Sequence, residues 1–275
     1  RQFVSEMVTE SRIVERGVHA IIGARHLERI ADLATNMAEP VAFLDRNVTI
    51  GRNVIMGARA AGVRRLINLG TSCMYPRAAP NPLCEDDLLT GELEPTNEGY
   101  ALAKIVALRL CDYIRREDAR FLYKTLVPCN LYGPHDTFDV ERAHLVPAII
   151  AKVHAAKTAG LSRVEIWGDG TARREFMYAG DLADAVFRAA RDLEALPGHM
   201  NVGAGEDRSI AEYYAIAARA IGWEGAFTHD PEKPAGMARK LCDITRQTEW
   251  GWRPRTPLDE GIVLTYRHFL KEVAA

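Results

Sequence analysis

The sequence predicts an α/β protein built on a largely parallel sheet. Two observations carry this. Strand-like and helical stretches alternate along the chain, the order that βαβ connections impose. The 275 residues are 48% hydrophobic and 26% charged, an ordinary globular balance in a chain long enough for one large core or two small ones.

Residues 19–25 (HAIIGAR) read as a short buried strand. Pro40 opens a helical pattern over 41–61, stopped by Gly62. Residues 64–69 (RRLINL) form a strand that ends in Gly70-Thr71-Ser72. The stretch 76–95 is rich in Pro and acidic residues and reads as a loop. Thr96 is the expected N-cap of a helix running to about Glu117, with Ala101, Ile105, Leu108 and Leu110 near helical spacing. The next strand, 123–127, closes in Pro128-Cys129-Asn130. Pro147 then begins a helix to about Lys157, 163–167 is a strand, 181–193 a helix and 199–202 a strand. Ser209 caps a helix that Gly222 ends after Ile221. The tail is Pro-rich from Asp230 and helical from about Leu258.

Charge and cysteine usage exclude several classes of function. Thirty-five Lys+Arg against 37 Asp+Glu give a formal charge of −2, which argues against bulk electrostatic binding to nucleic acid or anionic membrane. No apolar run reaches the roughly 18 residues that a spanning helix needs, and residues 1–20 show no signal-peptide core. The five cysteines (Cys73, Cys84, Cys111, Cys129, Cys242) are odd in number and scattered, without a C-x-x-C pair. Free thiols in a reducing cytoplasm are expected, with neither a disulfide framework nor a metal site.

Chemistry enters at Tyr100-Ala-Leu-Ala-Lys104. On a helix, residues four apart share a face, so Lys104 puts a positive charge beside the Tyr100 phenol. That makes Tyr100 a candidate general acid/base; a packed tyrosine beside a snorkelling lysine gives the same spacing. Thr71 ends a strand earlier in the chain, and the carboxyl ends of strands are where open α/β sheets place ligands. Its hydroxyl can bond a substrate carbonyl, or merely close a turn.

The strand–hydroxyl, the Y-x-x-x-K pair and Asn130-Leu131-Tyr132-Gly133-Pro134 together resemble the extended short-chain dehydrogenase/reductase superfamily. Within it, GTSCMYP (70–76), LLTGELEPTNEGYALAK (88–104), NLYGPHD (130–136), WGDGTARREF (167–176) and NVGAGED (201–207) resemble the GDP-L-fucose synthase family. The resemblance runs from about Asn36 to the C-terminus. It implies a Rossmann-like doubly wound sheet, with a dinucleotide-binding domain over 1–130 and a mainly substrate-binding region over 131–275. Residues 176–205 would return to the core. It also implies NADP(H) or NAD(H) as cofactor, a GDP-sugar substrate and a homodimer formed through the helix of Tyr100 and the helix over 41–61.

The resemblance implies roles for individual residues. The catalytic hydroxyl falls on Thr71, and the tyrosine and lysine on Tyr100 and Lys104. The family's epimerising cysteine and histidine fall on Cys73 and His144. A thiol and an imidazole suit removal of a proton from one face of a carbon beside a ketone and its return to the other. A buried thiol and a helix-capping histidine are the plain alternatives. Cofactor contacts fall on Leu69, Gly70, Thr71 and Ser72, on Tyr100 and Lys104, and on Pro128, Asn130, Leu131 and His144. Substrate contacts fall on Asn130, Lys152, Trp167 and Arg174, the last suited to a pyrophosphate. Trp167 can instead belong to the core, and Arg174 to a surface ion pair.

The front of the chain departs from the family. Gly17 and Gly23 are the only glycines before Gly51, so the glycine-rich loop that holds a dinucleotide pyrophosphate is not found. Residues 23–33 carry bulky and charged side chains where the family has small ones, and Ala235 stands where its K-P-D-G loop has an acid. Two accounts remain: roughly 60 residues precede Arg1 in the natural chain, as a full βαβαβ half would need, or ordinary cofactor binding has been lost. The functional alternatives are an epimerase/reductase, a non-redox epimerase or simple C4 reductase on a related GDP-sugar, and a non-catalytic nucleotide-sugar-binding relative.

Overall fold

Parallel β-ladders with helical crossovers organise the chain. The structure is a computed structural model that describes residues 40–139, 143–232 and 237–273; the strand expected over 19–25 and the altered 23–33 segment lie outside them, as does Ala235. In chain order the elements are α1 (Pro40–Ala60), β1 (Arg65–Leu69), α2 (Glu98–Glu117), β2 (Leu122–Pro128), β3 (Asn130–Tyr132) and α3 (Leu145–Thr158). There follow β4 (Arg163–Trp167), β5 (Arg173–Arg174), β6 (Phe176–Tyr178), α4 (Ala179–Arg191), β7 (His199–Val202), β8 (Arg208–Ser209) and α5 (Ile210–Ile221). The chain closes with β9 (Ala226–Asp230), β10 (Arg239–Lys240), α6 (Thr245–Glu249) and α7 (Leu258–Val273).

The main ladder has the order β1-β2-β7, all parallel, with Leu69 opposite Leu126 and Pro128 opposite Val202. β2 lies in its middle and is buried from Tyr123 to Pro128. Even Lys124 is buried there: its Nζ reaches the carbonyl of Leu196 at 2.7 Å, and burial lowers its pKa. α2 turns Ala101, Ile105 and Leu108 inward. Its buried Asp112 pairs with Arg115 at 2.7 Å. α1 lies against α2 so closely that a Cβ on Gly51 would sit 3.4 Å from the Ala107 Cβ.

Smaller ladders frame the second half. β3 pairs β6, β4 pairs β9, and β5 sits between β10 and β8. A second core joins α3, α5 and α7 through Ile149, Val153, Tyr213, Ala217 and Phe269. α5 begins with a reciprocal cap, Ser209 Oγ accepting the Glu212 amide and the Glu212 carboxylate accepting the Ser209 amide. It ends at Gly222 in the left-handed region, φ 72°. The last third of the chain also returns to the first. The Leu83 amide donates to Leu241 O, the Asp243 amide donates to Leu83 O, and the two stretches form a parallel bridge.

Several sequence expectations are corrected. Thr96 does not cap α2; it lies in a short 3-10 turn over Pro95–Asn97, bonds Glu94 through its hydroxyl, and leaves Asn97 as the cap residue. Proline at the start of that turn fixes a φ that suits the tighter winding. α3 begins at Leu145 rather than Pro147, which a proline in the first turn permits. Asn130 does not merely end a strand but opens β3, and the tail before α7 contains β10 and α6.

Candidate active site

The turn after β1 carries the first group of candidate residues. The Gly70 amide donates to Leu126 O at 2.8 Å, which carries the β1–β2 pairing one residue past the strand. Thr71 is extended, and its Oγ1 accepts the Cys73 amide at 3.3 Å. An oxygen used as an acceptor leaves the hydroxyl proton available to a ligand. Ser72, Met74 and Tyr75 are buried, whereas Cys73 is half-buried. Lys240 Nζ, from β10, lies 3.3 Å from Cys73 Sγ. Ser72, Cys73 and Lys240 line a small cavity of about 30 Å³ with Glu94, Asn97 and Met237.

Tyr100 and Lys104 lie in the first two turns of α2, both half-buried. Lys104 Nζ is 5.4 Å from the centre of the Tyr100 ring, and Phe43 of α1 packs against the same ring at 6.4 Å. Leu69 and Pro128 stand at the carboxyl edge of the main ladder, and Leu131 lies in the middle of β3; Pro128 and Leu131 are buried.

A larger cavity of about 350 Å³ opens between β3, α3, β4 and β5. It gathers Asn130, His144, Lys152, Trp167 and Arg174 around one space. Asn130 Nδ2 donates to Glu175 O at 2.9 Å. His144 occupies the N-cap position of α3, yet its side chain makes no capping bond. Its Nε2 is buried and has no hydrogen-bond partner among the described residues. A buried polar atom left so is costly unless a ligand or water completes it, and the capping alternative is thereby removed.

The remaining lining residues explain the W-G-D-G-T sequence. Gly168 and Gly170 both adopt positive φ, 72° and 75°, which only glycine takes readily. Asp169 Oδ1 accepts both the amide and the hydroxyl of Thr171. This turn leaves Trp167 at the end of β4 and 51% exposed, so it is no core residue. Lys152 Nζ stands 5.9 Å from the centre of its ring and donates to Glu165 O. Burial lowers the pKa of both Lys152 and Arg174, the sign expected where cations are drawn out of water. Arg174 donates to Arg173 O at 2.8 Å and lines the cavity. Cations in such a place suit an anionic ligand.

Sequence reasoning missed Lys240, Phe176, Ile210 and Tyr214 among the lining residues. None sits in a spacing that signals chemistry, and Lys240 meets Cys73 across 167 positions of sequence. The five thiols are free, Cys111, Cys129 and Cys242 being buried and Cys84 exposed. No helix among the described residues is long and apolar enough to cross a membrane.

Known proteins share this architecture. The chain is 49% identical over 243 residues to a GDP-L-colitose synthase from Yersinia pseudotuberculosis, covering 88% of this chain and 79% of that one. It is 49% identical over 241 residues to a GDP-L-fucose synthase from Azorhizobium caulinodans, covering 88% and 77%. The solved structure of a GDP-mannoheptose C4 reductase from Campylobacter jejuni with NADP bound superposes with a TM-score of 0.77 at 28% identity, covering 86% of this chain and 79% of that one. Residues 9–203 match a single family model. On that match, on these relatives and on the parallel ladder β1-β2-β7, the chain is an enzyme of the NAD dependent epimerase/dehydratase family.

Proposed function

We propose that this enzyme is a nucleotide-sugar epimerase/reductase acting on a GDP-4-keto-6-deoxyhexose: it inverts the carbons flanking the ketone and then reduces C4 with NADPH. The observation that carries this reading is the cavity lined at once by Asn130, His144, Lys152, Trp167 and Arg174. It offers cations for a pyrophosphate, an aromatic face for a sugar or base, and an imidazole nitrogen with no hydrogen-bond partner among the described residues. Relatives named for GDP-L-fucose and GDP-L-colitose support a GDP-sugar. The family resemblance of residues 88–104 favours the fucose precursor.

The residues present fit a nicotinamide cofactor at the carboxyl edge of β1 and β2. Leu69 ends one strand and Gly70, Thr71 and Ser72 follow it; Pro128 ends its neighbour, and Asn130 and Leu131 open β3 just beyond. The Nε2 of His144, buried and without a partner among the described residues, adds a polar atom that a ligand would complete. Tyr100 and Lys104 complete the nicotinamide side. When bound, such a group supplies a hydride for C4. This chain's own residues manage the protons. Tyr100 donates one to the C4 oxygen, Lys104 holds positive charge beside the phenol, and the Thr71 hydroxyl hydrogen-bonds the same oxygen. Cys73 and His144 serve proton removal and return at the flanking carbons, with Lys240 beside the thiol. Reduction by NADPH rather than NADH follows the C4 reductase solved with NADP. The five free thiols favour work in the cytoplasm.

The dimer belongs to the same proposal. Leu102, Val106 and Tyr113 are exposed along one face of α2, and Ile50 and Val54 are exposed on α1, whose packing on α2 at Gly51 and Ala107 brings the two helices together. Apolar rows of this kind suit a second copy.

The deciding experiment is incubation with the 4-keto sugar in D₂O, with and without NADPH, followed by NMR of the ring positions. Deuterium should enter beside the ketone without NADPH, and C4 should be reduced with it. Cys73→Ser should lose most of the exchange, because a serine hydroxyl is far less acidic than a thiol, and should yield an unepimerised 6-deoxy product. Reduction without exchange in the wild type would make the enzyme a simple C4 reductase. Binding with neither reaction would make it a non-catalytic relative.

A further inference from the structure

His135, His268 and Glu272 stand outside the candidate active site, and we propose that they form a binding site for a borderline divalent transition-metal cation of the Zn²⁺ type. One ligand atom from each residue lies within 4.8 Å of the other two. His268 Nε2 and Glu272 Oε1 are 2.9 Å apart, and the imidazoles of His135 and His268 meet edge to face with centres 4.1 Å apart. Ligand atoms around a tetrahedral ion with bonds of about 2.0–2.1 Å lie roughly 3.3 Å from one another. The three donors bracket that spacing, and small side-chain rotations close the rest, since His135 and Glu272 are exposed.

The donor set selects the class of ion. Two imidazoles and one carboxylate suit Zn²⁺, Ni²⁺ or Cu²⁺, whereas Mg²⁺ and Ca²⁺ take oxygen ligands. Three protein ligands leave a fourth position for water. The backbone brings the donors together from two places. His268 and Glu272 are four apart on α7 and share a face. His135 arrives from the turn after β3 with φ 65°, a left-handed conformation uncommon outside glycine. Among the described residues this is the one group of three His, Cys, Asp or Glu side chains with ligand atoms so close, and it contains no cysteine. Cysteine spacing therefore gave no sign of it. A bound ion ties the turn at 133–137 to α7, on the same stretch of chain that leads from Asn130 to His144.

The test uses the full chain, freed of metal with a chelator and titrated calorimetrically with ZnCl₂ and, separately, MgCl₂. Zn²⁺ should bind and raise the unfolding temperature, and Mg²⁺ should do neither. His135→Asn keeps a residue that tolerates the left-handed backbone and removes the imidazole; Glu272→Gln keeps the size and removes the charge. Each should weaken Zn²⁺ binding by on the order of tenfold or more and abolish the thermal shift, with circular dichroism unchanged. Co²⁺ in place of Zn²⁺ should show d–d bands without a thiolate charge-transfer band. Absence of Zn²⁺ binding, binding indifferent to both substitutions, or a thiolate band would reduce the cluster to a helix-surface ion pair and overturn the proposal.

Discussion

Arg174 is half-buried in the wall of the large cavity, where desolvation lowers its pKa. Its removal should therefore be felt in binding before it is felt in stability. Arg174→Ala should weaken GDP affinity by about 2–4 kcal/mol, since a pyrophosphate loses a charge-assisted partner; isothermal titration reads this directly, and unchanged affinity would place Arg174 outside the site. Tyr100→Phe keeps the ring that Phe43 and Lys104 pack against but removes the proton donor. C4 reduction should fall by about 10²-fold or more, and near-normal NADPH oxidation would refute the role. These residues became candidates through the family resemblance of the long motifs around them, since the Y-x-x-x-K spacing alone also fits a packed tyrosine beside a snorkelling lysine. Lys240 was not legible, because its meaning comes from Cys73, a contact that only the fold creates.

The longer helices and the five-residue strand β4 were readable from pattern and end signals. The strand over 163–167 and the helix that Ser209 caps and Gly222 ends stand where the sequence reading puts them. β5, β8 and β10 have two residues each, too few to show a period. They are strands only because neighbours pair with them. β9 has an irregular burial pattern and is held by its register with β4, Val164 opposite Phe227. The apolar row on α2 was visible as spacing, but which of its residues face outward depends on β1, β2 and α1. That outward row carries a prediction: Val106→Asp should convert a dimer to a monomer in sedimentation velocity, with α2 still folded because Ala101, Ile105 and Leu108 remain inward. A wild-type chain that sediments only as a monomer would remove the dimer from the proposal.

At the scale of the whole molecule, distant segments are joined by polar clasps as well as by core. Asp207 accepts hydrogen bonds from Arg173 at 2.9 Å and Arg239 at 2.5 Å, locking β5 to the segments on both sides. Burial opposes its ionisation, yet the hydrogen bonds from Arg239 and Arg173 prevail and hold the carboxyl below its ordinary 3.8. A carboxyl depressed in this way stabilises fully above its unfolded pKa and ceases to do so as pH falls through the folded value. The unfolding temperature of the wild type should therefore decline more steeply than that of Asp207→Asn below about pH 5. Parallel acid limbs in differential scanning calorimetry would show that the clasp adds nothing. The pairing of Leu83 with Leu241 and Asp243 has a different consequence, one of timing. A nascent chain leaves the ribosome with its Cys73 segment long before the strand and lysine that cover it have been made. Contacts across such a separation form late and leave apolar edges open in the interval. The Cys73 thiol thus stays uncovered until the segment of Lys240, 167 residues later, has been made.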